Sequence, residues 1–353
     1  MFNHDFFRGK KVFITGHTGF KGSWLAHILS RAGAEVTGYA LPPEAPASLY
    51  ALSGVGDRIT SIFGDVRNFQ VLDSAVEKAE PDVLFHLAAQ ALVRKGYEDP
   101  RTTYETNVMG TLNVLETVRR HRTIRSVVNV TTDKVYENME WEWGYRETDN
   151  LDGWDPYSNS KSCSELITRC YRRALIDRDG SAISTARAGN VIGGGDFSKD
   201  RIIPDCIRGV TEGREIIVRN PRSVRPYQHV IEPIFAYMLI AVSQCDSREL
   251  AGEYNVGPDD EDCVETGELV RLFCEAWGPQ AKWEHRASDG HHESTYLRLD
   301  CSRIKRKLGW APRWDIRTAV EKTVEWTKSQ LRGEDLSSVM DRQIDAYLGE
   351  AAR

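Results

Sequence analysis

Short apolar runs alternate with amphipathic stretches along the first half of the chain. The runs at 10–15, 35–40, 82–87 and 126–130 contain β-branched and aromatic residues and predict buried strands. Between them apolar residues recur at helical spacing, most clearly at 106–120. Because such alternation is typical of a parallel sheet with helices on both faces, the sequence predicts an α/β fold.

The alternation weakens in the second half of the chain. Helices and short strands follow there in no regular order, although 253–257 has the pattern of one more strand. We therefore predict two interleaved units. Residues 1–187, with contributions from about 226–258, are expected to form the sheet domain, and 188–353 mainly a smaller substrate domain.

The composition is that of an ordinary soluble globular protein. The 353 residues include 46 Lys and Arg against 52 Asp and Glu, and this net charge of −6 gives no support to nucleic acid as a partner. The seven cysteines form no Cys-x-x-Cys pair and no signal peptide is evident, so reduced thiols and a cytoplasmic location are expected. The apolar run at 233–242 is too short for a membrane span and predicts a core helix. His291 and His292 lie in a polar stretch, and no metal site is expected.

A glycine-rich turn follows the first predicted strand. Gly16, Gly19 and Gly22 stand between that strand and an apolar helical pattern beginning at Trp24. Gly16 permits a tight turn, Gly19 lets the backbone approach a pyrophosphate, and Gly22 lets the helix pack against the strand. The helix N-terminus offers its amides to phosphate groups. The spacing differs by one residue from the usual dinucleotide fingerprint, but the strand, turn and helix are all present, so we predict a Rossmann-type, doubly wound parallel sheet that binds a dinucleotide.

The second predicted strand bears on the choice between NAD and NADP. An acid that binds the adenosine ribose is expected at its C-terminal end, but Tyr39, Ala40 and Leu41 stand there. Glu35 lies at the opposite end of the strand, away from the ligand edge. No arginine at the end of this strand is available for a 2′-phosphate, and NAD is predicted on that negative observation.

Candidate chemistry gathers where the predicted strands end. Polar or small residues interrupt the apolar pattern at 88–90, 131–134 and 188–190, and the C-terminal ends of parallel strands share one edge of a sheet. Tyr157 and Lys161 lie four residues apart on a predicted helix, and so on one face of it. An adjacent ammonium favours the phenolate of a tyrosine, so we expect Lys161 to lower the pKa of Tyr157 until it can act as a base.

The order and spacing of these motifs resemble those of an extended short-chain dehydrogenase/reductase over nearly the whole chain. The motifs that carry the resemblance are Gly16-x-x-Gly19-x-x-Gly22, Asp65-Val66, Leu87-Ala88-Ala89-Gln90, Asn107, Thr131-Thr132 and Tyr157-x-x-x-Lys161. Within that superfamily, the glycine turn and the segments 132–138, 187–196 and 225–230 are similar to those of CDP-glucose 4,6-dehydratases.

The resemblance implies an NAD-dependent sugar-nucleotide dehydratase. Its cofactor residues would be Gly16, Thr18, Gly19, Phe20, Gly22, Asp65, Val66, Leu87, Ala88, Ala89, Gln90, Asn107, Tyr157 and Lys161. Tyr157 would remove the C4 hydroxyl proton while the C4 hydride passes to NAD; the ketone acidifies C5, water leaves from C6, and the hydride returns to C6. CDP-D-glucose would thus become CDP-4-dehydro-6-deoxy-D-glucose, in deoxysugar biosynthesis for a cell-surface polysaccharide or a natural product.

The same resemblance implies the remaining catalytic roles. Thr132 would hydrogen-bond the C4 oxygen, and Asp133 would donate a proton to the C6 hydroxyl, for which its pKa must be raised. Lys134 stands where dTDP-glucose enzymes have a glutamate. It is either the C5 base or a cation that stabilises the enolate, with the proton taken by another group such as Glu137.

Substrate contacts and alternatives complete the predictions. In the family pattern Asn190 binds the substrate and Arg225 binds the diphosphate through its guanidinium, while His229 is expected to be structural. The pattern also implies a homodimer or larger homo-oligomer. The nearest alternative is an NAD-dependent epimerase, or a dehydratase, acting on a dTDP-, UDP- or GDP-linked sugar; Asp133 favours a dehydratase over an epimerase. A catalytically silent NAD-binding regulator is an alternative of another class, against which the Tyr157 and Lys161 pair argues.

Overall fold

The computed structural model describes residues 4–43, 48–176, 180–286 and 296–349. His291 and His292, which bear on the metal prediction, lie outside the described residues. Within these ranges the strands are β1 (Lys11–Thr15), β2 (Glu35–Ala40), β3 (Thr60–Phe63), β4 (Val83–His86), β5 (Ser126–Val130), β6 (Ala182–Ala188), β7 (Val191–Ile192), β8 (Ile216–Val218), β9 (Val224–Arg225), β10 (Gln228–His229), β11 (Glu253–Val256), β12 (Val264–Glu265) and β13 (Trp283–His285).

The α-helices are separated by these strands and by short 3-10 and π-helical turns. They are α1 (Phe20–Arg31), α2 (Leu49–Leu52), α3 (Phe69–Ala79), α4 (Val93–Glu98), α5 (Pro100–Tyr104), α6 (Gly110–Arg120), α7 (Pro156–Cys170), α8 (Ile202–Thr211), α9 (Ile231–Asp246), α10 (Thr266–Trp277), α11 (Ser302–Leu308), α12 (Ile316–Leu331) and α13 (Leu336–Gly349).

Seven strands form one parallel sheet in the order β11, β6, β5, β4, β1, β2, β3. Parallel neighbours need crossover connections, and helices supply them. Strands β4, β5 and β6 are buried at every residue, as expected for a sheet covered on both faces. The predicted Rossmann-type α/β fold is confirmed.

The elements predicted from the apolar pattern lie at the expected places. The runs at 35–40 and 126–130 coincide with β2 and β5, and the helix expected at 106–120 is α6 preceded by the π-helical turn Glu105–Met109. The strand expected at 253–257 is β11, which pairs with β6 at the edge of the main sheet. The second half of the chain therefore contributes a strand to the first sheet.

The chain beyond β6 also builds a hydrophobic cluster of its own. Residues of α8, α10 and α12 pack together around Cys206, Phe273 and Val320. The short ladders of β7 with β10, β8 with β13 and β9 with β12 accompany these helices. Because β7 begins just beyond the C-terminal end of β6, this cluster lies at the edge where ligands bind to parallel sheets. The exact division into two interleaved units stays a prediction.

Helix α9 contains the apolar run at 233–242 and is a core helix, as predicted. Most of its residues are buried, and it packs against β5 and β6. Within the described ranges, no helix combines the length and apolarity needed to cross a membrane. The seven cysteines are all free thiols.

Candidate active site

The glycine turn between β1 and α1 forms a cradle of backbone atoms. Gly16 has φ +82°, and a Cβ at this position would lie 2.7 Å from the Ala88 nitrogen; a Cβ on Gly22 would lie 2.0 Å from the Gly16 oxygen. Neither position can accept a side chain. Gly19 is the N-cap of α1, so no side chain caps this helix. A Cβ added to Gly19 would lie 3.4 Å from the Gly16 oxygen, which is ordinary contact. The first-turn amides of α1 therefore face a space suited to an anionic group.

Two further residues of this turn join it to the neighbouring strands. The Thr18 hydroxyl donates to the Leu41 carbonyl just beyond β2, at 3.0 Å. The Phe20 ring lies close to Gly193, where a Cβ would be 3.3 Å from it. The turn is thus fixed between the sheet and the second half of the chain.

The ends of β2 and β3 lie where the adenosine ribose of a dinucleotide would be expected. The buried Tyr39 donates to the Asp65 carbonyl at 3.0 Å, and Val66 packs against Gly110 at the start of α6. One arginine does lie near this edge, because Arg67 forms ion pairs with Asp65 at 2.6 Å and with Glu105 at 3.5 Å. The two carboxylates balance its charge, which disfavours a 2′-phosphate beside it.

Asn107 fixes the end of β4 against α7 from within the π-helical turn. Its Oδ1 accepts from the Gln90 amide at 2.9 Å, and its Nδ2 donates to the Gln90 carbonyl at 3.0 Å and to Ser160 Oγ at 2.9 Å. At the same strand end Thr15 Oγ1 accepts from the amides of Leu87 and Ala88, each at 3.2 Å. The segment that continues through Ala89 to Gln90 is therefore held rigidly, as a cofactor platform requires.

Tyr157 and Lys161 are both buried on α7. The helix begins with Asp155, whose carboxylate accepts from the Tyr157 amide at 2.9 Å and so fixes the first turn. Lys161 Nζ donates to the Val130 carbonyl at 3.1 Å, and burial lowers the pKa of Lys161 to about 8. Burial also raises the pKa of Tyr157 to about 12, against a hydrogen bond with Thr132 that lowers it.

The expectation that Lys161 lowers the pKa of Tyr157 far enough for it to act as a base stays a prediction, because burial raises this pKa. Lys161 directs its ammonium to the Val130 carbonyl, and the loss of solvation at Tyr157 outweighs nearby positive charge. The phenol needs a further positive charge beside it before it can act as a base near neutral pH.

Thr132 caps a short 3-10 turn, Asp133–Val135, that follows β5 after Thr131. The Thr132 hydroxyl donates to Asp133 Oδ1 at 3.0 Å and hydrogen-bonds with Tyr157. Asp133 is 1% exposed, and its Oδ2 has no hydrogen-bond partner among the described residues. Burial raises the pKa of Asp133, which is the direction that a proton donor requires.

The predicted substrate residues lie beside this turn. The Arg225 guanidinium is buried at β9, donates to the Val224 carbonyl at 2.9 Å, and lowers the pKa of Asp133 together with Lys134. Asn190 lies just beyond β6, and a Cβ on the preceding Gly189 would be 3.1 Å from Asp133 Oδ2. The polar residues predicted at the strand ends are therefore neighbours in space.

Glu137 lies apart from these groups. Its side chain is exposed and accepts from Asn150 at 3.3 Å. His229, expected to be structural, is buried with its ring 6.0 Å from Trp24 and 4.9 Å from Trp314. In the part of the chain that the structure describes, no cluster of three His, Cys, Asp or Glu side chains is arranged to hold a metal ion.

Lys21 is a site residue that the sequence analysis missed. Its Nζ lies 3.4 Å from the Tyr237 hydroxyl, and its charge interacts with those of Asp133 and Lys161. Burial lowers the pKa of Lys21 to about 7. A lysine in the first turn of a helix opposes the helix dipole, and that mismatch at position 21 was the available signal.

Comparisons with known proteins agree with this geometry. The family model described as GDP-mannose 4,6 dehydratase matches residues 13–323. The CDP-glucose 4,6-dehydratase of Salmonella typhimurium is 43% identical over 359 residues, covering all of both chains. The dTDP-glucose 4,6-dehydratase of Streptomyces antibioticus is 27% identical, covering 89% of this chain and 91% of the relative.

Solved structures share the fold at lower identity. A UDP-glucose 4-epimerase of Thermotoga maritima aligns with a TM-score of 0.80 at 20% identity, covering 91% of this chain and 99% of that one. A dTDP-glucose 4,6-dehydratase of Bacillus anthracis, in complex with NAD, aligns with a TM-score of 0.77 at 20% identity, covering 93% and 99%. The chain belongs to the GDP-mannose 4,6-dehydratase family, a group of sugar-nucleotide enzymes with the extended short-chain dehydrogenase/reductase fold.

Proposed function

We propose that this chain is an NAD-dependent dehydratase that converts CDP-D-glucose to CDP-4-dehydro-6-deoxy-D-glucose and water. The observation that carries the dehydratase assignment is the buried Asp133 carboxyl, with one oxygen unpartnered, beside Thr132 and Tyr157. An epimerase, which expels no water, has no need of such an acid. The full-length identity of 43% with a CDP-glucose 4,6-dehydratase supports the nucleotide.

The glycine turn fits a dinucleotide. The open side of Gly19 and the first-turn amides of α1 suit the pyrophosphate, and Tyr39 with Asp65 and Val66 suit the adenosine end. When bound, NAD supplies the hydride acceptor for C4, the donor that returns the hydride to C6, and in its oxidised form a positively charged ring.

Tyr157 takes the proton of the C4 hydroxyl in the first step. A positive charge beside the phenol favours the phenolate, and the Thr132 hydrogen bond acts in the same direction. Thr132 also orients the C4 oxygen. Loss of the proton and the hydride leaves a 4-ketone, which acidifies the C5 proton.

Asp133 donates its proton to the departing C6 hydroxyl in the second step. Burial raises its pKa, which favours the protonated carboxyl group that a general acid requires. Water then leaves and Asp133 becomes a carboxylate, which the nearby Arg225 and Lys134 stabilise.

Lys134 either accepts the C5 proton or stabilises the enolate that forms when this proton leaves. The exposed Glu137 is less suited to the proton because its carboxylate is engaged with Asn150, whereas Lys21 offers a second amine in the pocket. Exchange of the C5 hydrogen with deuterated solvent distinguishes these roles. If Lys134→Ala abolishes exchange, Lys134 is the base; if exchange persists at the wild-type rate, it is not, and Lys21→Met is the next variant.

Nucleotide specificity is the decisive test. Purified protein with NAD is incubated separately with CDP-, dTDP-, UDP- and GDP-glucose, and the 4-keto product is assayed. We expect turnover with CDP-glucose to exceed the others. Activity with dTDP-glucose alone would refute the nucleotide while leaving the dehydratase chemistry intact.

Tyr157→Phe is the matched control for enzymatic activity. It keeps the ring and removes the hydroxyl that accepts the C4 proton, so turnover should be lost with every nucleotide sugar. Equal turnover of the variant and the wild type would overturn the mechanism, and no turnover by either would favour the NAD-binding regulator.

The remaining assignments are the substrate contacts, the cellular location, the oligomeric state and the biosynthetic role. Asn190 and Arg225 are proposed to bind the sugar nucleotide, with Arg225 at the diphosphate. A cytoplasmic location, a homodimer or larger homo-oligomer and a role in deoxysugar biosynthesis complete the proposal. Size-exclusion chromatography with light scattering tests the oligomeric state.

A further inference from the structure

A buried ion pair lies directly beneath the catalytic turn. Glu165 and Arg187 are 0% exposed, and Arg187 Nη2 lies 2.9 Å from Glu165 Oε2. Glu165 stands on α7, four residues after Lys161 and eight after Tyr157, so the three side chains follow one face of the helix. None of the roles assigned above uses this pair.

The pair holds the catalytic turn on both sides. Thr131, the residue before the turn, donates to Glu165 Oε1 at 2.5 Å. Tyr136, the second residue after it, accepts from Arg187 Nη1 at 2.8 Å and donates to Asn255 at 2.6 Å. Residues 132–134 are therefore fixed at each end by one partner of the same ion pair.

Glu165 also acts on Lys161 electrostatically. The groups that interact with the Lys161 ammonium are Lys21 of α1, the neutral His86 of β4 and Glu165 of its own helix, and Glu165 is itself paired with Arg187 of β6. Lys21 repels the ammonium, whereas the Glu165 carboxylate raises the pKa that burial lowers. Without this carboxylate, Lys161 would lose its proton at a lower pH.

We propose that Glu165 is a positioning residue of the active site, which holds the 132–134 turn through Thr131 and Arg187 and lies four residues from Lys161 on the same helix face. This rests on the proposed function, because that function gives the Lys161 charge its task beside Tyr157. A buried ion pair adds little to stability by itself, so a role in the site gives a reason for its presence.

The test compares Glu165→Gln with Glu147→Gln. Glu147 is a matched control because it is also buried and belongs to the same region, accepting from the Asn255 amide at 2.9 Å, and its ion-pair partner is Arg303. Both variants exchange a buried carboxylate for an amide of the same shape. The measurements are kcat and KM from pH 6 to 10, the melting temperature, and the Lys161 Nζ resonance in protein with labelled lysine, assigned by its loss in Lys161→Met.

We expect Glu165→Gln to move the alkaline limb of kcat to lower pH by about one unit, since an opposite charge at this range shifts a pKa by about 1–3 units. KM for the nucleotide sugar should stay within about twofold, and Glu165→Asp, which keeps the charge, should restore the limb. Glu147→Gln should leave the limb in place. The proposal is overturned if Glu165→Gln leaves the alkaline limb of kcat in place and lowers kcat and the melting temperature only as much as Glu147→Gln does. Glu165 would then have a structural role alone.

Two provisions keep the outcome interpretable. If Glu165→Gln does not fold, Glu165→Gln with Arg187→Met removes both buried charges together, a change that proteins tolerate better than removing one. If wild type turns over none of the nucleotide sugars, the proposed function fails, and the Nζ titration still decides the Glu165 assignment. A titration midpoint for Lys161 equal to that of wild type would contradict it.

Discussion

Asp133 and Glu165 are two buried carboxyl groups in adjacent layers of the same site, and their surroundings are opposite. Asp133 lies in the 132–134 turn, where one of its oxygens has no partner among the described residues and burial raises its pKa. Glu165 lies beneath the turn and accepts from Thr131, Thr185 and Arg187. Burial is common to both, whereas the number of donors differs.

In the proposed mechanism, this difference separates a proton donor from a positioning residue. A buried carboxyl group that accepts from several donors is held in place, because its oxygens are engaged and cannot turn to a ligand. A buried carboxyl group that lacks a donor favours its neutral form and has an oxygen available for a ligand. Four variants test this distinction. Each replaces a carboxyl group by an amide or removes its ion-pair partner, at sites that differ in burial and in the number of donors.

Asp133→Asn should have the largest effect, and on activity. The amide cannot transfer a proton to the departing hydroxyl, so kcat for dehydration should fall by about 10²–10⁴-fold. The melting temperature should stay equal or rise, because an unpartnered acid is removed from a buried position. Product assays and thermal unfolding measure both, and turnover within about tenfold of wild type would remove Asp133 from the role of acid.

Arg187→Met should act mainly on stability. It leaves the Glu165 carboxylate buried without its cation, which costs about 3–5 kcal/mol of unfolding free energy. Urea unfolding measures the loss, and adding Glu165→Gln to Arg187→Met should recover part of it. A loss below about 1 kcal/mol in the single variant would mean that the supporting layer is not held by this pair.

Glu232→Gln should change how stability depends on pH. Glu232 accepts from the amides of Arg313 and Trp314 and from the Tyr347 hydroxyl, yet burial raises its pKa to about 7 from 4.5. The folded state then binds more protons than the unfolded state between those values, so this group's contribution to stability falls as pH rises from about 4.5 to 7, by about 3 kcal/mol in total. The variant should lose that slope in denaturant unfolding measured across the interval, and an unchanged slope would assign it to other groups.

Glu80→Gln should have the smallest effect. Glu80 forms an ion pair with Lys11 at 3.2 Å, but both side chains are largely exposed. Exposed pairs contribute about 0.2–1 kcal/mol, and salt screens them. Urea unfolding at low and high salt provides the check. If Glu80→Gln lowered the free energy of unfolding as much as Arg187→Met does, the effect of losing a charge would not depend on its burial.

Much of the architecture could be read from the sequence, because apolar periodicity and glycine spacing are local properties. The strands at 35–40 and 126–130 and the core helix around 233–242 follow from such patterns. The catalytic turn and Tyr157 could be named because their order along the chain matches that of a family. Lys21 and Arg67 were missed as site residues, since their importance depends on what folds against them.

The sequence by itself determined which residues stand at the strand ends and which share a helix face, because the geometry of strands and helices fixes both. Only the tertiary structure decided their protonation and their partners. Asp133, Glu165 and Glu80 are ordinary acids in the sequence, yet one is buried and partly unpartnered, one is buried and saturated, and one is exposed. Burial and hydrogen-bond partners come from segments that are distant in the chain. The same type of side chain can therefore serve, in the proposed mechanism, as a proton donor, a positioning residue or a surface charge.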